Sequence, residues 1–194
     1  MKQIRFHGRG GQGVVTAAEL LAIAAFKNGY EAQAFPAFGV ERTGAPIQAF
    51  ARVDKNPIRL REQVYNPDVL VVLDATLFDT LDLLADCDKN TLVIINTSKK
   101  PNELNIKFGS EKNKLPIENI TTVDATKIAL DIFGKNLANT TIVGALAKAT
   151  DFLTLESLIE AVKEKFGEKG QSLIDKNIQA IEIAYNSCPK NSPC

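Results

Sequence analysis

Gly8-Arg9-Gly10-Gly11-Gln12-Gly13 is the stretch of this sequence whose residue types and spacing point most directly to chemistry. Glycines let a backbone turn sharply and come close to a ligand. Exposed N–H groups and the positive end of a following helix dipole then favour an anion such as phosphate. The six residues contain a G-x-G-x-x-G match, set between a strand-like stretch, residues 3–7, and a nearly all-apolar run, residues 14–28, that reads as a helix closed by Gly29. A second reading stands beside the anion site: the glycines allow close strand–helix packing, which Ala17, Ala18, Ala22, Ala24 and Ala25 serve in either case. A dinucleotide site also needs an acidic residue near the end of the second strand, where Ala34, Phe35 and Pro36 stand and Glu31 comes too early. An ATP-binding P-loop needs Lys-Ser/Thr, but Val14 and Val15 follow Gly13. A stand-alone Rossmann-type nucleotide enzyme is therefore the alternative rather than the leading reading.

The segment from Phe35 to Pro46 places two phenylalanines, Glu41, Arg42 and Thr43 on one Gly- and Pro-bearing loop at a strand end. Such loops border the ligand crevice of an open α/β sheet; the plainer account is a surface ion pair on a rigid turn, worth about 0–1 kcal/mol. His7, the only histidine, falls at the strand end beside the Gly-rich turn, where either a proton-transfer role or a hydrogen-bonded structural role fits. Asn96 and the pair Asn139-Thr140 stand at element ends. Capping is their default role, and only convergence on the crevice would make them ligands. Cys87, Cys188 and Cys194 form no C-x-x-C pair, so neither a disulfide framework nor a cysteine-ligated metal is expected.

The elements that must position these residues follow from hydrophobic pattern. Residues 69–73 and 92–95 are continuous apolar runs, as in strands buried on both faces of a parallel sheet, with room for a helix over residues 76–86 between them. Residues 47–53 alternate and predict an antiparallel hairpin with residues 58–60 across a turn at 54–57. Residues 101–116 read as a lysine-rich surface excursion, residues 120–123 as a final strand. Leu155, Leu158, Ile159, Val162 and Phe166 form a helical stripe behind Thr154 as N-cap, stopped by Gly167; Ile174, Ile178, Ile181 and Tyr185 form another. The expectation is an α/β fold: a doubly wound, mostly parallel sheet flanked by helices, with an antiparallel hairpin at the edge and a helical C-terminal third. Residues 1–186 form one domain and residues 187–194 a flexible tail.

Of the 194 residues, 45% are hydrophobic, enough for a single sizeable core. Lys plus Arg and Asp plus Glu both number 23, leaving no basic surplus to neutralise the phosphates of a nucleic acid. The longest apolar stretch, residues 14–26, is too short to span a bilayer. With no basic then apolar leader pattern, a cytoplasmic location is expected.

Taken together, RFHGRGGQGVVTAAELLA, FPAFGVERTGAPIQAFARV, PDVLVVLDATL, and DATKIALDIFG followed by ANTTIVGALAKAT resemble the gamma subunit of 2-oxoacid:ferredoxin oxidoreductases, in order and over nearly the whole chain. The ERTGAP form resembles the pyruvate and branched-chain branches rather than the 2-oxoglutarate one, so pyruvate is the expected substrate. The resemblance implies CoA-dependent oxidative decarboxylation of pyruvate to acetyl-CoA and CO2. Electrons would pass to ferredoxin or flavodoxin, with thiamine diphosphate, Mg and iron–sulfur clusters in alpha, beta and ferredoxin-like delta subunits. The same resemblance gives this chain a part in coenzyme A binding. Its candidates are Gly8, Arg9, Gly10, Gly11, Gln12 and Gly13, then Glu41, Arg42 and Thr43, with Asn139 as a further possible ligand. A purely structural subunit remains the other alternative.

Overall fold

The computed structural model describes residues 1–37, 43–104 and 115–188. Strand β1 (Lys2–Arg9) enters the Gly-rich turn and is followed by helix α1 (Val14–Lys27), then by β2 (Glu31–Pro36), β3 (Pro46–Asp54), β4 (Val69–Val72), β5 (Leu92–Asn96) and β6 (Ile120–Val123). Four more α-helices follow among the described residues: α2 (Ala125–Phe133), α3 (Ala138–Ala149), α4 (Leu155–Phe166) and α5 (Gln171–Ser187). The sheet order is β2-β3-β1-β4-β5-β6. β1, β4, β5 and β6 are parallel neighbours, whereas β3 lies antiparallel between β2 and β1. The mixed α/β sheet and the helical C-terminal third agree with the pattern read from the sequence.

Pairing at the edge differs from that pattern. β3 is matched residue for residue with β2 (Glu31 opposite Asp54) and with β1 (Arg52 opposite Gln3), so both of its sides are filled and residues 58–60 have no side left to pair with. The antiparallel edge pair is thus β2–β3, and Leu60 instead offers its carbonyl to Gln33 Nε2 at 2.8 Å.

All five α-helices gather on one face of the sheet. There Ile4, Phe6, Val71 and Ile94 pack against Leu20 and Leu21 of α1, Ile142 and Leu146 of α3, Leu158 of α4 and Ile181 of α5. The second layer is built differently: Leu70, Val72, Val93 and Ile95 meet Leu77, Leu83, Leu84 and Leu115 from 3-10 turns and loops. The helix expected over residues 76–86 is a 3-10 turn, Ala75–Asp79. Local side-chain bonds compete with helical ones there: Asp74 Oδ1 accepts from Thr76 N–H at 3.0 Å and Thr80 Oγ1 donates to Leu77 O at 3.4 Å. Irregular chain over a sheet leaves carbonyls without ladder partners. Two buried arginines supply donors: Arg52 reaches Glu62 O at 2.6 Å and Gln63 O at 3.3 Å, and Arg5 reaches Tyr65 O at 3.0 Å and Leu83 O at 3.1 Å.

The C-terminal stripes behave as read. Thr154 Oγ1 accepts from Ser157 N–H at 3.1 Å to start α4. α5 runs through Ser187 and Cys188 is buried, so the packed chain extends past residue 186. Residues 189–194 of the expected tail, and residues 105–114 of the lysine-rich excursion, lie outside the described residues. No helix among the described residues is long and apolar enough to cross a membrane.

Candidate functional site

The Gly-rich turn sits at the carboxyl end of β1, where the sheet changes from an antiparallel neighbour (β3) to a parallel one (β4). In open α/β sheets ligands bind outside the carboxyl ends of the strands. Three of its glycines are required by geometry. A Cβ on Gly8 would stand 2.5 Å from Val14 Cγ2 and 3.3 Å from Leu73 Cβ. Gly11 and Gly13 have φ of +94° and +74°, where side chains are strained. Gly8 is thus closed in, as the packing reading has it, while Gly11 is exposed, the nearest described atom to a Cβ there being Thr43 Cγ2 at 3.9 Å.

The second candidate loop is joined to the first. Gly10 N–H donates to Ala45 O at 2.9 Å and Gly44 N–H to Gly10 O at 3.0 Å, continuing the β1–β3 ladder beyond the Arg9–Pro46 pair. Thr43 thereby stands at the turn. Glu41 and Arg42 lie outside the described residues.

Arg9 and Gln12 point to a partner that the sequence reading missed. Arg9 Nε donates to Asp74 Oδ2 at 3.1 Å, and Gln12 Nε2 donates to the same oxygen at 2.9 Å. Gln12 Oε1 accepts from Arg9 N–H at 2.7 Å, while the guanidinium also reaches Gly44 O at 3.3 Å and Thr76 Oγ1 at 3.0 Å. Burial alone would raise the Asp74 carboxyl, but the bonds from Thr76 and Gln12 and the charge of Arg9 together hold it below the usual carboxylate range. The signal for it was available: Asp74-Ala75-Thr76 follows an apolar strand adjacent to β1, at the same carboxyl edge of the sheet.

The first amides of α1 have no intrahelical partner. The first intrahelical bond of α1 runs from Ala17 N–H to Gly13 O at 3.0 Å, so the amides of Val14, Val15 and Thr16 precede it. α1 has no side-chain cap and no acidic residue in its first turn, and α3 has neither. The two helix starts meet, because Asn139, the second residue of α3, lies against Gly13 so closely that a Cβ there would collide with Asn139 Nδ2. Two positive dipole ends on one glycine turn favour an anion more than either alone.

Other polar candidates go elsewhere. Asn96 donates to Leu73 O at 2.9 Å and Thr126 Oγ1 at 2.8 Å and accepts from Thr126 N–H at 3.1 Å, which ties β5 to the start of α2. Thr140 is buried. His7 shares a strand with the turn, but its imidazole is buried and its Nε2 has no hydrogen-bond partner among the described residues. Burial, then the charge of Arg5, push its pKa down to about 3, so the imidazole is held neutral. Cys87 and Cys188 are free and buried, their thiols pushed up to about 11 by burial. Among the described residues no group of three His, Cys, Asp or Glu could hold a metal ion. The described residues of the turn set glycine amides and the uncapped start of α1 beside the Arg9–Asp74–Gln12 cluster, an arrangement compatible with an anion.

Residues 3–187 match the family model described as pyruvate ferredoxin/flavodoxin oxidoreductase. The chain is 52% identical over 186 residues to the pyruvate/ketoisovalerate oxidoreductases common subunit gamma of Thermococcus kodakarensis, covering 96% of each. Among solved structures it resembles pyruvate oxidoreductase subunit PORC of Thermotoga maritima, with a TM-score of 0.79, 35% identity and 97% of each chain covered. It shares its fold, at 21% identity and a TM-score of 0.72, with part of a 2-oxoglutarate:ferredoxin oxidoreductase from Magnetococcus marinus solved with 2-oxoglutarate, coenzyme A and succinyl-CoA; 99% of this chain covers 32% of that one.

Proposed function

The chain belongs to the pyruvate ferredoxin/flavodoxin oxidoreductase family as a gamma-type subunit, and on that premise we propose that it binds the phosphates of coenzyme A within a multi-subunit pyruvate:ferredoxin or flavodoxin oxidoreductase. The whole enzyme would oxidise pyruvate to acetyl-CoA and CO2 in the cytoplasm. The same reading keeps thiamine diphosphate, Mg and iron–sulfur clusters off this chain. Its two described thiols are buried and protonated, and no set of three metal-binding side chains exists among the described residues. Those groups belong on alpha, beta and delta subunits. The observation that carries the reading is the meeting of two uncapped helix starts on the Gly-rich turn, a cradle of amides for a pyrophosphate. The T. kodakarensis relative is named as common to pyruvate and ketoisovalerate oxidoreductases. That sharing supports assigning recognition of the acid to other chains.

Gly11→Leu is the cleanest test, because Gly11 is exposed and a Cβ there meets no described residue closer than 3.9 Å. The positive φ costs about 1–3 kcal/mol locally, and the side chain enters the ligand's space. In the assembled enzyme KM for coenzyme A rises about tenfold or more, equivalent to about 1.4 kcal/mol, with kcat, thiamine and cluster content retained. An unchanged KM contradicts the assignment.

A further inference from the structure

We propose that Asp74 is a positioning residue that sets the shape in which the Gly-rich turn presents its amides; the idea rests on the coenzyme A reading above. A turn with Gly8, Gly10, Gly11 and Gly13 loses much conformational freedom on ordering, and only Arg9 and Gln12 have side chains with which to fix it. Both are spent on Asp74, at 3.1 Å and 2.9 Å. Its other oxygen accepts from Thr76 N–H at 3.0 Å and Thr76 Oγ1 at 2.6 Å, so both carboxylate oxygens are doubly bonded. Asp74 is itself well fixed, since Leu73 N–H donates to His7 O at 2.8 Å and extends the β1–β4 ladder to its neighbour.

Arg9 closes the arrangement by reaching Gly44 O at 3.3 Å, so one carboxylate holds together the turn, the lead-in to β3 and the exit from β4. Charge is settled in the same place. The Arg9–Asp74 ion pair is part-buried, with side-chain exposures of 30% and 17%, so Arg9 is neutralised by Asp74 and the ligand meets amides rather than a free guanidinium. Arg9 and Gln12, which the sequence offers as ligands, act through Asp74.

The test uses the assembled enzyme and the pair 74–12. Asp74→Asn keeps an acceptor for Thr76 but turns an NH2 group toward two donors; Gln12→Glu sets a second carboxylate against the first. Each single change raises KM for coenzyme A about tenfold or more at unchanged kcat, and hydrogen exchange at residues 10–14 quickens while the middle of α1 stays protected. The double variant re-makes the 74–12 bond with donor and acceptor exchanged but still sets an NH2 group against Arg9 Nε–H, so it lowers KM below that of the worse single variant without reaching wild type. Should Asp74→Asn not assemble, Gln12→Glu alone carries the KM and exchange measurement. An unchanged KM in these variants while Gly11→Leu raises it overturns the positioning role and leaves the coenzyme A reading standing. An unchanged KM in all of them removes both. A raised KM that the double variant does not lower shows general loss of packing and also overturns the proposal.

Discussion

His7 lies one residue before the Gly-rich turn, yet its ring packs into the loop-covered layer near Arg5, and burial keeps it neutral with a pKa near 3. In the unfolded chain it titrates near its ordinary value of 6.5. As pH falls, the unfolded state takes up the proton first. The stability contributed by neutral His7 is thus complete above about 6.5 and is lost progressively down to about 3, at about 1.4 kcal/mol per pH unit. Urea denaturation of the purified chain is expected to show a loss of about 2–3 kcal/mol between pH 7 and pH 4.5, and His7→Gln should remove most of it. Asp54 and Asp74, whose carboxyls are lowered, lose their contributions only at more acid pH. An equal loss in wild type and variant would remove His7 as the cause. The same lesson of orientation applies to Arg9 and Gln12: their types were legible as anion ligands, but their direction depends on Asp74, more than 60 residues away in sequence.

The helical layer depends on one contact that sequence pattern cannot show. A Cβ on Gly144 of α3 would run into the Ile181 carbonyl of α5. Gly144→Ala is expected to push the helices apart at a cost of about 1–3 kcal/mol. Gly167→Ala, with helical φ of −52° and nothing within 4 Å of its Cβ, should be neutral or stabilising by up to about 1 kcal/mol. Thermal unfolding of the two variants side by side decides this, and equal Tm values would contradict the close approach. What the sequence made legible was local: the apolar runs of β4 and β5, the Thr154 cap and the stripe of α4, and Gly29 and Gly167 at helix ends. What it hid was non-local. Residues 58–60 have strand composition, but β3 had two better partners in β1 and β2. Residues 76–86 have a helix's apolar content, but their leucines are held by a loop layer that Arg5 fastens from beneath.

Across the whole molecule the division of labour is clear. One face of the sheet carries every α-helix among the described residues, and at the carboxyl edge of β1 the proposed anion site gathers β1, α1, the lead-in to β3, the exit from β4 and the start of α3. Family membership sets this chain in an oxidoreductase, and among its described residues no group of three His, Cys, Asp or Glu could hold a metal ion. A structure of the assembled enzyme with coenzyme A tests this account most directly. The account predicts the ligand's phosphates within hydrogen-bonding distance of the amides between Gly11 and Thr16, with Arg9 still bound to Asp74. Coenzyme A bound without touching this chain would contradict it, and would leave the Gly-rich turn as a contact between subunits.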